Sequence, residues 1–195
     1  METQYVNERV YTPWGQPDTK RTHSEGIAFY STPGHGGFKV SRELNIKIPE
    51  YMRRAGGWYE EDCEWSIVAI AFPDKFEPKD LESAKNTFRN WFPDEYEKFF
   101  GVKLKEGESW TRDDAIFYKR NKDKLLGIAA WGDWHKTVPI GMVGVCAVIG
   151  SKAEDRKYSE SDEHYFLVSE KEYENRSRDF VFEDPSRYQK WEPHA

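Results

Sequence analysis

Aliphatic side chains are scarce in this chain. Leu, Ile, Val and Phe together make up just under a fifth of its 195 residues, a proportion that borders on that of disordered proteins. Eight Trp and eleven Tyr reverse that reading. Each buried ring removes about 150–250 Å² from water, so a folded, very hydrophilic globule with an aromatic core is expected. Cysteine is nearly absent. Cys63 and Cys146 lie far apart and lack metal-ligand spacing, which excludes a disulfide framework and a structural zinc site and leaves two free, packed thiols. Long apolar runs are missing too. The stretch from Val138 to Ile149 is shorter than the about 20 residues a bilayer span needs, and it holds Pro139, Gly141 and Gly144, so no membrane partner is expected. An excess of basic residues is likewise lacking. Lys and Arg number 29 against 35 Asp and Glu, a net charge of −6, which argues against direct nucleic-acid binding. A duplex mimic needs dense carboxylates, whereas Ser151 to Ala195 mixes acids with bases. The first ten residues carry no basic segment followed by an apolar core, so no secretion signal is read and a cytoplasmic location is expected.

No repeat, flexible linker or low-complexity block divides the chain, and its length fits one domain, with a turn-rich start over 1–25 and a polar tail over 183–195. Gly26 to Thr32 reads as a strand, the Gly-rich turn Pro33 to Gly37 ends it, and Phe38 to Val40 runs back beside it. A polar, helical piece follows around Ser41 to Arg54. Trp65 to Phe72 combines β-branched and aromatic residues and stops at Pro73, which predicts a buried strand, although Trp65, Val68, Ala69 and Phe72 also fit helical spacing. Leu81, Ala84, Lys85, Phe88, Trp91 and Phe92 recur at three and four residues and predict a helix from Pro78. Pro93 breaks it, a short helix closes at Gly101, and Thr111 followed by Asp114 caps another. Leu125 to Trp131, Gly141 to Ile149 and His164 to Val168 read as strands, and the tail adds little regular structure. The pattern is that of an α+β domain, a largely antiparallel sheet packed against a few helices.

Three places could carry chemistry. Ser31-Thr-Pro-Gly-His-Gly-Gly37 surrounds one imidazole with a freely folding backbone, and His35 is the best single candidate because imidazole titrates near neutrality. The plainer reading is a hairpin turn with a structural histidine. Glu60-Glu-Asp-Cys-Glu64 sets four carboxylates around a thiol between Trp58, Tyr59 and Trp65. On an extended chain Tyr59, Glu61, Cys63, Trp65 and Ile67 share a face, while Glu60, Asp62 and Glu64 share the other. The neighbouring acids hold the Cys63 thiol protonated, the wrong direction for a nucleophile, so a solvated acidic edge is favoured over a Cys–His active site. Asp133 and His135 could join a divalent ion, but two ligands one residue apart read better as a Gly-Asp turn between packing tryptophans. His23, His164 and His194 show no partner and default to surface or loop positions. Trp, Tyr and Arg dominate protein-binding hot spots, and Trp14, Tyr51, Arg53, Arg54, Trp58, Trp131 and Trp134 fall near expected turns or element ends.

Thr12-Pro-Trp-Gly15, Ser31-Thr-Pro-Gly-His-Gly-Gly-Phe38, Gly57-Trp-Tyr-Glu-Glu-Asp-Cys-Glu-Trp65, Ala71-Phe-Pro73 and Trp131-Gly-Asp-Trp134, with Val143-Gly-Val145 and Tyr165-Phe-Leu-Val168, together resemble a domain family of unknown function. That family is seen in bacteria, phages and plasmids, sometimes attached to antirestriction-type polyvalent proteins, and the resemblance runs from Pro13 to Trp191. It implies a mobile-element protein in a host bacterial cell, of the counter-defence kind that blocks a host immune complex by stoichiometric binding. The expected contact residues are His35, Arg53, Arg54, Trp58, Tyr59, Glu60, Glu61, Asp62, Glu64, Trp131 and Trp134. The alternative is a hydrolase or nucleotide-modifying enzyme that uses His35 with Glu61 or Cys63. Neither reading calls for a cofactor or a metal ion.

Overall fold

Ile27, Phe29 and Ser31 alternate with Ala28 and Tyr30, Gly26 turns the chain into this strand at φ 76°, and the Thr32–His35 turn leads out of it into the next, so the first part of the chain builds a sheet from local hairpins. The computed structural model describes residues 3–6 and 9–193. It divides into two compact units, Met1–Asp113 and Asp114–Ala195, and every strand pairing in it is antiparallel, with helices alongside: the fold is α+β. In place of one sheet there are two. Among the described residues no helix is long and apolar enough to cross a membrane.

In the first unit, β1 (Thr3–Tyr5), β2 (Thr19–Ser24), β3 (Ile27–Ser31), β4 (Gly36–Val40) and β5 (Trp58–Glu60) pair in chain order. Register sorts their side chains. Ile27 faces Val40, and Phe29, Phe38 and Tyr59 lie in line, so these five point into one core; Tyr30, Gly37 and Glu60 lie in line on the opposite face, beside Lys39 and Trp58. Ser41 caps the short α1 (Arg42–Asn45), its Oγ accepting from the Leu44 N–H at 3.3 Å. The core is closed by α2 (Trp65–Ala71), α3 (Pro78–Trp91) and α4 (Pro93–Phe100), which contribute Ile67, Val68, Phe88 and Tyr96.

The segment expected as a strand, Trp65 to Phe72, is the helix α2. Its apolar run reflects burial, since Ser66, Ile67, Val68 and Ala69 are all inaccessible, and a helix covered on nearly every side loses the polar face that reveals its period. It ends at Phe72 (φ −132°, ψ 61°) because the residue before a proline avoids helical geometry. The helix from Pro78 forms as its spacing predicts, with Ala84 and Phe88 fully buried, but Trp91 turns outward against Trp110, ring centroids 4.7 Å apart. Gly101 closes α4 in the left-handed conformation, φ 65°. α5 (Trp110–Asn121) starts one residue before the expected cap, and the Thr111 hydroxyl donates instead to the Asn90 carbonyl.

The second unit holds β6 (Leu125–Trp131), β7 (Met142–Ile149), α6 (Gly150–Asp155), β8 (His164–Ser169), α7 (Glu170–Glu174), β9 (Val181–Phe182) and β10 (Gln189–Lys190). The order is β10-β8-β7-β6-β9. Strand β7 is covered on both faces. Val143, Val145 and Ala147 pack with Phe166, Val168, Phe180 and Phe182, while Gly144 on the other face lies under the Trp191 ring. The tail, expected to be irregular, supplies the edge strand β10, and the other edge strand, β9, lies just before it; two-residue strands carry no periodic signature.

Candidate functional site

Two backbone segments fix the site. Thr32 closes the turn that carries His35: its N–H and its hydroxyl both donate to the His35 carbonyl at 2.7 Å, and the His35 N–H donates back to its Oγ1 at 3.1 Å. Opposite, the register Gly37 to Glu60 places the end of β5 beside that turn, and the Glu61 N–H donates to the Gly36 carbonyl at 3.1 Å. The strand then stops. Glu60 turns its carboxylate over the following residues, Oε2 accepting from Asp62 N–H at 2.8 Å and Cys63 N–H at 3.2 Å. Glu64 ties off the far side: Oε1 pairs with Arg54 Nε at 2.5 Å and Oε2 accepts from the Glu60 N–H at 3.2 Å.

These bonds bring His35, Glu60 and Asp62 together, with one ligand-type atom from each within 4.8 Å of the others. Among the described residues this is the only such histidine–carboxylate group. His35 and Asp62 are exposed, and Glu60 is half-buried. The family model for a domain of unknown function, DUF7007, matches residues 7–122, which takes in this site and more than half of the chain. The chain belongs to that family. No curated protein and no solved structure matches it. The DUF7007 match ends just past α5, so the Trp131–Trp134, Val143–Val145 and Tyr165–Val168 motifs lie beyond it.

Within the DUF7007 segment, the enzyme reading set Glu61 or Cys63 beside His35. Because β5 ends at Glu60, the alternation that would set Glu61 and Cys63 on one face does not extend past it. The Glu61 side chain lies over Gly36, where an added Cβ would meet its Oε2 at 2.7 Å. Burial and the nearby Glu60 and Glu64 carboxylates push the Cys63 thiol up to about 11, and its Sγ donates to Glu60 Oε2 at 3.8 Å, so the thiol stays protonated as its acidic neighbours predict. Tyr59 is inaccessible. Its hydroxyl donates to Asn45 Oδ1 at 2.7 Å, and it serves the core where a partner contact was expected, because every second residue of a one-face-buried strand must point inward. Arg53 and Arg54 are likewise occupied inside the unit. The Arg53 guanidinium donates to the Ile46 and Ile48 carbonyls at 2.9 Å, and Arg54 spans Glu64 and the Phe92 ring.

Trp58 stands on the outer face of the sheet in an edge-on cluster with Trp14 (5.9 Å) and Tyr30 (5.3 Å), and the Lys39 Nζ lies 4.9 Å over its ring. Burial lowers the Lys39 pKa, and its ammonium donates to the Gly56 carbonyl. Tyr30 and Lys39 escaped notice in the sequence. Only the β3–β4–β5 register, which bridges the long connection from Val40 to Trp58, puts them beside Trp58 and Glu60. His23, read as a surface residue, is a packed one: it lies against Phe76 (4.3 Å) and Phe38 (5.3 Å) and its Nε2 bonds the Lys75 carbonyl at 2.8 Å. A bulge in β2 between Thr22 and Ser24 turns it inward.

In the second unit, Trp131 packs against Trp191 with ring centroids 5.5 Å apart and planes inclined at 57°, and Trp134 is 75 % exposed. His135 bonds Thr137 Oγ1 at 3.1 Å and packs against Trp191, so with Asp133 exposed the pair forms a turn, in line with the plainer reading. His164 is exposed on β8, and His194 lies outside the described residues.

Proposed function

We propose that the protein acts by binding a protein partner in a fixed ratio, in the cytoplasm of a bacterial host, and that the partner is a host defence complex, a CRISPR effector or a restriction enzyme. The observation that supports binding is the preformed turn. Glu60 Oε2 and the Glu64 carboxylate hold residues 60–64 in one shape, with Asp62 exposed on it and His35 exposed on the adjoining turn. A rigid ligand loses little conformational entropy on docking, so few exposed groups suffice for specificity. Trp14 and Trp58, half-buried on the same sheet face, supply a small apolar area, and the acids of residues 60–64 beside it suit a basic groove. The link to defence systems rests on the resemblance to proteins of phages and plasmids.

Titration of purified defence complexes tests both parts. Inhibition should reach its end point at one chain per complex and survive His35→Ala, whereas Asp62→Arg should weaken it about tenfold to a hundredfold. Full inhibition at a small fraction of the complex concentration, lost in His35→Ala, would replace this reading with catalysis.

A further inference from the structure

We propose that His35, Glu60 and Asp62 bind a divalent first-row transition-metal ion of the Zn²⁺ class. Three observations carry this. First, the ligand-type atoms of the three residues lie within 4.8 Å of one another, yet among the described residues no hydrogen bond or ion pair joins the His35 ring to either carboxylate. The three polar tips converge without satisfying each other. Donors that share an ion at about 2.1 Å lie at most about 4.2 Å apart, so small side-chain rotations close the gap.

Second, Glu60 Oε1 is buried and accepts no hydrogen bond, although Oε2 of the same carboxylate accepts from Asp62 and Cys63. A buried carboxylate oxygen without a partner is costly, and a bound cation is one of the few things that can satisfy it. Third, the ligands stand on backbones already fixed. The Thr32 bonds set the carbonyl and N–H of His35, and Glu60 Oε2 holds the N–H groups of Asp62 and Cys63, so an ion need not order the chain to bind. Glu61 adds a further carboxylate over Gly36, and excess negative charge favours a cation.

The donor set selects the metal. One imidazole nitrogen with two carboxylate oxygens suits Zn²⁺ and its neighbours, whereas Mg²⁺ and Ca²⁺ favour oxygen-only shells. Two of the three ligands are exposed, so an ion held there would be within reach of water or of a carboxylate from another molecule. The proposal is independent of the partner-binding reading, since the ion is tested on the protein alone.

The experiment is calorimetric titration of the untagged full chain with Zn²⁺, alongside Mg²⁺ and Ca²⁺. One Zn²⁺ per chain is expected. His35→Ala and Asp62→Asn change exposed side chains and should each weaken binding at least tenfold while leaving the circular dichroism spectrum unchanged. Glu60→Gln should do the same, and because Glu60 also holds the turn, its folding is read from the same spectrum. A Zn²⁺-dependent shift of the His35 imidazole ¹⁵N resonances gives a direct view of the ligand. Absence of saturable Zn²⁺ binding, binding unaltered by His35→Ala, or equal affinity for Mg²⁺ or Ca²⁺ would each overturn the proposal.

Discussion

In the first unit the five strands pair in chain order, each hairpin laid beside the last, whereas in the second the central meander β6–β7–β8 is flanked by β9 and β10 from the end of the chain. The first sheet buries one face against helices and leaves the other to Trp58, Lys39 and Glu60; in the second, β7 is covered on both sides, by Phe166 and Phe180 on one and by Trp191 on the other. A sheet with a free face can carry a site. A strand buried on both faces has every residue committed to packing, and the candidate group accordingly stands at an end of the first sheet.

The largest effect that tests this contrast comes from the two cores. Phe88→Ala in α3 and Phe182→Ala in β9 remove side chains that are 0 % and 1 % exposed, and each should cost about 3–5 kcal/mol in urea denaturation. A loss below about 1 kcal/mol at Phe182 would mean that the late edge strand adds little to its unit.

Next in size is a pair of glycines. A Cβ at Gly37 would meet the Tyr59 carbonyl oxygen at 2.4 Å and the Trp14 ring at 2.2 Å, whereas for one at Gly144 the three nearest atoms all belong to the Trp191 ring, the first at 2.5 Å. The Tyr59 backbone is fixed in the sheet and cannot move aside, whereas the Trp191 ring can give by rotating, at the cost of its buried packing and its Nε1 bonds to Thr137. Gly37→Ala should therefore cost about 2–3 kcal/mol and Gly144→Ala about 1–2 kcal/mol by thermal denaturation. The reverse order would break the comparison.

Acid stability should differ in the same sense. Glu97 in α4 accepts from Lys103 Nζ at 2.7 Å, from the Leu104 N–H at 2.8 Å and from Arg112, and these bonds hold its carboxyl at about 2 against an ordinary 4.5. Because the folded value is the lower one, the stabilisation is complete above about 4.5 and is lost as pH falls toward 2. Asp162 in the second unit is also lowered, by Lys152 and the Ser159 N–H, but its side chain is 25 % exposed against 8 % for Glu97. Glu97→Gln should flatten the fall of stability in that acid range, and Asp162→Asn should flatten it less, as read from denaturation midpoints across the pH series.

The smallest effect concerns the thiols. Burial, with acidic neighbours adding to it, pushes both Cys63 and Cys146 up to about 11, so both should react slowly with a disulfide reagent at neutral pH. Cys63 is half-buried and Cys146 is 2 % exposed, so one thiol should label in the folded protein and the second only after unfolding. Labelling of both at one rate would show that the second sheet opens as readily as the Glu60–Glu64 turn.

The elements with a plain local signature were legible. The strands at Ile27, Leu125, Met142 and His164, the helix from Pro78 and its stop at Pro93 all stand where alternation, spacing and proline place them. The failure at Trp65 to Phe72 has one cause: a helix buried all round shows the same apolar run as a buried strand. At the site, His35, Glu60 and Asp62 were each named from the sequence as contact residues, with Glu61 or Cys63 beside the imidazole only in the enzyme reading, whereas the ligand-type atoms that lie within 4.8 Å of one another are those of His35, Glu60 and Asp62. That grouping depends on the residue at which β5 ends, and no local signal marks it.

The amino-acid sequence by itself determined that this chain folds around aromatic rings, with two free thiols and an antiparallel α+β pattern, because those follow from composition and from contacts between near neighbours. The tertiary structure alone decided that there are two sheets, that Tyr59, Arg53 and Arg54 serve the interior of their unit, and that the imidazole of the glycine turn faces two carboxylates. The reason is register: pairing β4 with β5 joins residues some twenty positions apart, and a shift of one residue would turn Glu60 into the core and Tyr59 out to solvent.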